Sequence, residues 1–274
     1  MCGICGEIRF DDTPPAVDAI ARMNRVLEPR GPDGSGIYSS GRIAVGHRRL
    51  KILDLTEHAQ QPMIDSELGL GIVFNGCIYN FRDLRVQLRA LGYRFFSDGD
   101  TEVILKAYAA WGTDCVDHML GMFAFAIWER DSGRVVLARD RLGIKPLYYT
   151  ELDRGLRFAS TLPALLAAGG VDTDVDPVAL HHYMSFHAVV PAPHTIVKGV
   201  RKLPPATVRV IEADGRSRDQ VYWRPHYGPR PEERDLGYAD WQELTLAGLR
   251  KAVERRLVAD VPVGVLLSGG LDSS

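Results

Sequence analysis

The sequence predicts an α+β fold built on antiparallel sheet, and three observations carry the prediction. Short apolar runs recur at 43–46, 70–74, 122–128, 135–138 and 207–211, most of them bounded by Gly, Asn or Asp turn signals. Successive runs are joined by tight turns, as at 131–133, which is an antiparallel connection and not a helical crossover. Helical periodicity is confined to a few segments that do not alternate with the strands as βαβ units would.

Composition agrees with a globular chain and narrows its partners. At 274 residues the chain is long for one domain, and 46% hydrophobic with 25% charged residues can bury a substantial core. The net charge of −2 comes from interspersed acids and bases, so nucleic acid is not an expected partner. No apolar run approaches the roughly 18 residues of a membrane span, and the N-terminus lacks the pattern of a secretory signal. The expected location is cytoplasmic. Four cysteines, Cys2, Cys5, Cys77 and Cys115, are too few for a disulfide framework.

Taken in order, residues 4–10 alternate apolar and polar as a strand does. Thr13-Pro14 reads as a helix cap followed by proline at the first helical position, with Val17, Ile20, Met23 and Leu27 on one face and a stop before Pro29. Arg30-Gly31-Pro32-Asp33-Gly34 is a turn whose two charges could also hold a site in shape. The run 43–46 leads into His47-Arg48-Arg49-Leu50, and Ile52, Leu53 and Leu55 continue it as a buried strand. The run 70–74 closes on Asn75-Gly76. That pair is a hairpin signal, or alternatively an oxyanion hole in which the amide and a backbone N–H meet developing charge. Asn80 caps a helix carrying Leu84, Leu88 and Leu91 and stopped by Gly92.

Asp100 begins the next helix, whose apolar face is Val103, Ile104, Ala107 and Tyr108. Asp100 is an N-cap, or a carboxylate at a rim where a substrate ammonium could sit. In 122–128 the small Ala124 and Ala126 face one side and Phe123, Phe125 and Ile127 the other. Helices follow at 161–168 and after Asp176-Pro177. His181, His182, His187 and His194 lack the four-residue spacing of zinc helices and read as packing or surface residues. Residues 216–236, rich in Arg, Pro and Glu, make a linker. Leu246, Leu249, Val253 and Leu257 then give a helix ending near Asp260, and 261–267 a buried-type strand that feeds Ser268-Gly269-Gly270-Leu271-Asp272-Ser273-Ser274. A strand followed by Ser and paired Gly exposes backbone N–H groups to phosphate oxygens. It is not a Walker A loop. One strand and its loop do not complete a nucleotide domain, so the natural chain is expected to continue.

The chemistry-bearing stretch is the first. Removal of Met1, which the small Cys2 side chain allows, leaves one residue with a thiol and a free α-amine. That amine ordinarily titrates at about 7.7–8.0, low enough to serve as a base near neutrality. A thiol beside its own base suits nucleophilic acyl transfer. Two rivals stand beside this reading: a buried structural cysteine, and half of a zinc or redox site made with Cys5. Positions three apart on a strand face opposite sides, which weighs against shared chelation. An arginine such as Arg49 at a strand end can present its planar fork to a carboxylate.

These stretches resemble a known family. Met1 to Gly6, Arg30-Gly31-Pro32-Asp33, His47-Arg48-Arg49-Leu50, Asn75-Gly76, Ile78-Tyr79-Asn80, Gly121-Met122-Phe123-Ala124-Phe125 and Arg139-Asp140 are similar, in order, to glutamine-dependent asparagine synthetases. Those are class II, N-terminal-nucleophile (Ntn) amidotransferases. Ser268 to Ser273 resembles the pyrophosphate loop that opens their synthetase domain. The resemblance implies a four-layer αββα Ntn sandwich over 2–215, the linker 216–236, and over 237–274 the start of an α/β ATP-pyrophosphatase domain.

It also implies roles. Cys2 is the nucleophile, and Asn75 with the Gly76 backbone forms the oxyanion hole. Arg49 takes the glutamine carboxylate and Asp100 its ammonium, and Leu50, Ile52 and Cys77 line the same pocket. Leu267, Ser268, Gly269, Gly270, Asp272 and Ser273 would bind ATP with Mg2+, while the glutaminase half needs no metal or cofactor. The implied acceptor is an adenylated carboxylate, of aspartate or of N-acetylglutaminylglutamine, the latter because Asn-Gly-Cys-Ile-Tyr-Asn is closer to that branch. A homodimer is left open, and so is an amidotransferase with another acceptor. One departure stands out: Cys77 occupies a position where the family usually has a glutamate that contacts the substrate ammonium.

Overall fold

In the computed structural model every residue is described except Asp12, Pro229, Arg234 and 272–274, together with the Glu232 side chain. The chain runs β1 (Gly3–Arg9), α1 (Val17–Val26), β2 (Gly34–Ser40), β3 (Ile43–Arg49), β4 (Met63–Asp65), β5 (Leu70–Ile78), α2 (Phe81–Ala90), α3 (Asp100–Trp111) and α4 (Cys115–His118). It continues through β6 (Gly121–Glu129), β7 (Val135–Arg139), β8 (Tyr148–Leu152), β9 (Gly155–Ala159), α5 (Leu162–Ala168) and α6 (Pro177–Ser185). The last elements are β10 (Arg201–Lys202), β11 (Thr207–Ile211), β12 (Ser217–Val221) and α7 (Tyr238–Arg256). The strands form two six-stranded antiparallel sheets, ordered β10-β8-β9-β1-β3-β2 and β12-β11-β7-β6-β5-β4.

Strand alternation turns these sheets into four layers. Along β1, Ile4 and Ile8 enter the core between the sheets, while Cys5 faces α1 and α5. Along β6, Ala124 and Ala126 enter the same central core, and Phe123, Phe125 and Ile127 pack under α2 and α3. Ala124 and Ala126, joined by Trp128, lie where sheet meets sheet, and Phe123, Phe125 and Ile127 where sheet meets helix, so the two-sided alternation expected in 122–128 is present. Helix, sheet, sheet, helix: this is the αββα sandwich of the Ntn hydrolases. Among the described residues no helix is long and apolar enough to cross a membrane.

Several expected elements are corrected. Helix α1 begins at Val17 and not at Thr13, because the Thr13 hydroxyl is engaged by Asp11 and Arg9 and cannot cap. The strand expected through Ile52 and Leu55 is absent; both are exposed, and the chain there wraps its carbonyls around the Arg49 guanidinium. Asn75-Gly76 is not a hairpin: β5 runs straight through it to Ile78, paired with β6 along its whole length. Asn80 precedes α2, but its amide bridges the His118 carbonyl and the Leu120 N–H, and Leu91 is exposed. Gly99 holds the N-cap position of α3, so Asp100 is the first helical residue.

Residues 217–221, expected within the linker, form β12 and pair with β11. The segment 261–267 forms no strand, and Leu266 is fully exposed. A strand exists only where a neighbour takes its backbone groups, and among the described residues none lies beside it.

Candidate active site

The site lies at the end of the sandwich where the central core gives way to polar side chains. Alternation puts Cys2 on the face of β1 that carries Ile4 and Ile8, Arg49 on the face of β3 that carries Ile43 and Val45, and Asn75 and Cys77 on the face of β5 that carries Val73. Three inward faces, continued one or two residues past the apolar core, therefore converge. Together with Gly76, Leu50, Ile52 and Asp100 they line one pocket, which gathers all eight residues that the sequence assigns to catalysis and glutamine binding.

The Cys2 thiol is mostly buried and sits against the main chain of Leu50, whose N–H lies 3.4 Å from Sγ. Burial pushes the thiol's pKa up, and that N–H bond opposes the rise. The Cys2 carbonyl oxygen accepts from Arg30 Nε at 3.0 Å; with the Asn75 amide oriented to satisfy its neighbours, its nitrogen donates to the same oxygen at 3.0 Å and its Oδ1 accepts from Arg30 Nη2 at 3.3 Å. Gly76 is required here by space, since a Cβ would meet the Met122 carbonyl oxygen at 2.3 Å. The amine at Met1 is depressed chiefly by its burial, with Arg30 and Lys145 adding to the effect.

In the same pocket, the buried Arg49 has no carboxylate partner among the described residues. Its Nη1 donates to the Thr56 carbonyl at 2.8 Å, and its Nη2 donates to the carbonyls of Leu53 and Asp54. A guanidinium fixed by neutral carbonyls keeps its charge for a ligand. Asp100 is likewise buried: its Oδ2 accepts from Ile78 N–H at 2.9 Å, and burial raises its pKa to about 6. Burial, followed by the Asp100 carboxylate, pushes the Cys77 thiol up to about 12, so it is a neutral wall of the pocket near neutral pH. The pocket thus holds a thiol between an arginine and a carboxylate, the charges that complement an α-amino acid.

A family profile described as a glutamine amidotransferase domain matches residues 1–223. The chain belongs to the glutamine amidotransferase family. A second profile, asparagine synthase, matches residues 245–274. Among curated relatives, asparagine synthetase [glutamine-hydrolyzing] 3 of Bacillus subtilis is 36% identical over 277 residues, covering 100% of this chain and 44% of that protein. A putative asparagine synthetase [glutamine-hydrolyzing] 2 of Methanocaldococcus jannaschii is 37% identical over 298 residues, covering 100% and 56%. The chain therefore spans about half the length of the curated relatives it matches. Among solved structures, glutamine phosphoribosylpyrophosphate amidotransferase from B. subtilis superposes with a TM-score of 0.61 at 18% identity, covering 82% of this chain and 50% of that one, a likeness of fold.

Several residues of the amidotransferase site lie outside the sequence reading. Gln61 lines the pocket, accepting from Phe74 N–H at 2.6 Å and donating to Thr101 Oγ1 at 3.2 Å, so it joins β5 to α3. Lys145 also lines it, with Nζ 3.1 Å from the Met1 sulfur. Asp140 sets the Lys145 loop by accepting from four backbone N–H groups, those of Phe123, Leu142, Ile144 and Lys145. Arg139 grips the carbonyls of Gly143, Lys145 and Leu203 around it. The Arg139-Asp140 pair is thus a loop anchor. Asp100 is presented in a similar way: Arg85 holds the carbonyls of Ser97 and Gly99, and the buried Glu102 accepts from the N–H groups of Phe96 and Ser97. Gln61 and Lys145 are marked only by spatial contact, because their partners lie on other segments of the chain.

In the Arg30 to Gly34 turn the second reading holds. Arg30 binds the Cys2 carbonyl, Gly31 packs against the main chain at Arg48 and Arg49 where a Cβ would clash, and Asp33 accepts from Lys51 N–H at 2.9 Å. Cys5 is buried against Gly46 and α1, in surroundings of its own. Of the residues expected to bind ATP, Leu267, Ser268, Gly269 and Gly270 are exposed, with Gly270 N–H 3.4 Å from Ser268 Oγ. Asp272 and Ser273 lie outside the described residues.

Proposed function

We propose that Cys2, made N-terminal by loss of Met1, hydrolyses glutamine to glutamate and ammonia. The observation that carries the reading is the pocket itself, which brings together the Cys2 thiol, a guanidinium held by backbone carbonyls and a buried carboxylate. Arg49 takes the glutamine α-carboxylate and Asp100 the α-ammonium, which sets the side-chain amide before Sγ. The α-amine of Cys2 accepts the thiol proton as sulfur attacks the amide carbon. The negative charge that develops on oxygen is met by the Gly76 backbone and by the second hydrogen of the Asn75 amide, whose first is held by the Cys2 carbonyl. Collapse breaks the C–N bond, the amine's proton leaves with ammonia, and water cleaves the thioester to glutamate and restores the thiol.

Residues 2–215 would form this glutaminase domain, with 237–274 beginning the synthetase domain beyond the linker. There the Ser- and Gly-rich sequence of 267–273 would supply the backbone N–H groups and hydroxyls that a pyrophosphate needs, with ATP and Mg2+ as substrate complex. The ammonia would amidate an adenylated carboxylate. Aspartate fits the relatives' names, and N-acetylglutaminylglutamine is the finer alternative suggested by residues 75–80. The cytoplasm, where glutamine and ATP are at hand, is the proposed location.

The test is peptide mass spectrometry of the N-terminus after incubation with a glutamine-mimicking diazoketone. Met1 absent with one adduct on Cys2 is the expected result. Met1 retained and Cys2 unmodified on folded protein would refute the reading and return the Cys2/Cys5 zinc or redox scaffold to the front.

A further inference from the structure

The loop 50–56 forms the Arg49 side of the pocket, yet it is neither strand nor long helix. Ile52 and Leu53 line the pocket, and the carbonyls of Leu53, Asp54 and Thr56 fix the Arg49 guanidinium. The position of the carboxylate-binding group therefore depends on the path of this loop. At its centre Asp54 adopts φ +47°, a left-handed conformation that non-glycine residues keep only when their surroundings impose it.

Two sets of bonds impose it. From inside the amidotransferase domain, the Asp54 carboxylate accepts from Thr56 N–H at 3.1 Å and from Asp98 N–H at 2.7 Å. From outside, Asp260 closes over the loop with two reciprocal bonds. Its Oδ2 accepts from Asp54 N–H at 2.7 Å, and its own N–H donates to the Ile52 carbonyl at 2.8 Å. Asp260 follows α7 and lies within the segment that matches asparagine synthase, eight residues ahead of Ser268. The clamp spans Ile52, Leu53 and Asp54, and Leu53 is at once a pocket wall and an Arg49 partner.

We infer that Asp260 is a positioning residue of the amino-acid pocket, supplied to the glutaminase site by the synthetase segment. In naming glutamine as the ligand, this rests on the proposed function above; the clamp itself does not. An exposed aspartate can be changed without unfolding the sandwich, so the variants are Asp260→Ala, which removes the acceptor, and Asp260→Asn, whose amide oxygen can still accept the Asp54 N–H.

The experiment pairs hydrogen–deuterium exchange over 50–56 with glutaminase kinetics on the whole chain. Asp260→Ala should speed exchange at Asp54 and raise the glutamine KM about fivefold, the worth of one hydrogen bond of about 1 kcal/mol, with kcat within about twofold. Asp260→Asn should restore both. Unchanged exchange in Asp260→Ala would overturn the clamp. Faster exchange with an unchanged KM, or a fall in kcat alone, would overturn its role in the pocket. If the unaltered chain neither hydrolyses glutamine nor labels at Cys2, the functional reading has failed, and the exchange result still decides whether the clamp exists.

Discussion

The pocket has two walls made in different ways. One is sheet: Cys2 at the start of β1, and Asn75, Gly76 and Cys77 within β5, a strand paired with β6 residue for residue from Leu70 to Ile78. The other is held by loops: Arg49, last residue of β3, is gripped by the carbonyls of Leu53, Asp54 and Thr56, and Asp100, first residue of α3, is offered by a turn that Arg85 and Glu102 hold. The sheet wall carries the groups that would make and break bonds. The loop wall carries the charges that would recognise the amino acid. A ladder fixes its donors at no further expense in side chains, whereas each loop charge needs several buried partners, so preorganisation is concentrated where charge would develop.

That division orders the expected effects. Cys2→Ala should abolish both diazoketone labelling and hydrolysis, a loss of about 10⁴-fold or more in kcat, measured as ammonia release. Asn75→Ala should lower kcat by about 10²–10³-fold, the usual worth of an oxyanion donor, with a smaller change in KM. A result reversed between the two parameters would break the comparison. Arg49→Ala should act on the other side, raising the glutamine KM by about 100-fold through loss of a charge-assisted pair; an unchanged KM would remove Arg49 from the pocket.

Asp100 sharpens the comparison through pH. Its pKa of about 6 means that glutamine should bind progressively more weakly as pH falls through that value, because the protonated carboxyl no longer holds an ammonium. The folded pKa lies above the unfolded one, so ionising Asp100 weakens the fold as pH rises between them. Asp100→Asn should therefore raise Tm at pH 7.5 while raising KM and erasing that acidic limb. A lower Tm would mean the Ile78 N–H bond needs the charge. The smallest effect belongs to Cys77→Glu, which adds a second carboxylate beside the ammonium site and should lower KM about threefold, on the scale of a partly solvated ion pair. Weaker binding would show a pocket shaped around the cysteine.

The sequence and the structure part company where contacts are not local. Alternation in 122–128 is visible by eye and predicts both faces of β6 correctly. The resemblance names eight of the residues that line the pocket, most of them in short stretches with recognisable neighbours. Asn75-Gly76 misleads for the same local reason: a dipeptide favoured in turns is here kept straight by β6, and Gly76 is needed because Met122 comes close. Gln61 and Lys145 leave no signal, because their contacts exist only once distant segments meet; Asp140 and Glu102 bond mostly to nearby backbone, in loop conformations that periodicity does not reveal. At the far end the pattern is equally legible and differently realised. The helix expected from Leu246, Leu249, Val253 and Leu257 forms as α7, but its apolar face is exposed. Periodicity specifies a helix; burial requires a partner surface.

The straight passage of β5 through Asn75-Gly76 has a genetic consequence. Side chains on a strand alternate, so inserting or deleting a single codon between 70 and 75, with the β6 pairing from Leu70 up to that point preserved, would turn Asn75 from the pocket toward the helical layer and put its neighbour in its place. Length changes in the 66–69 turn leave that phase intact. The amidotransferase site is thus protected less by the identity of the residues before Asn75 than by their number, and a reading-frame-preserving indel there would silence the enzyme while leaving every residue named in its mechanism present.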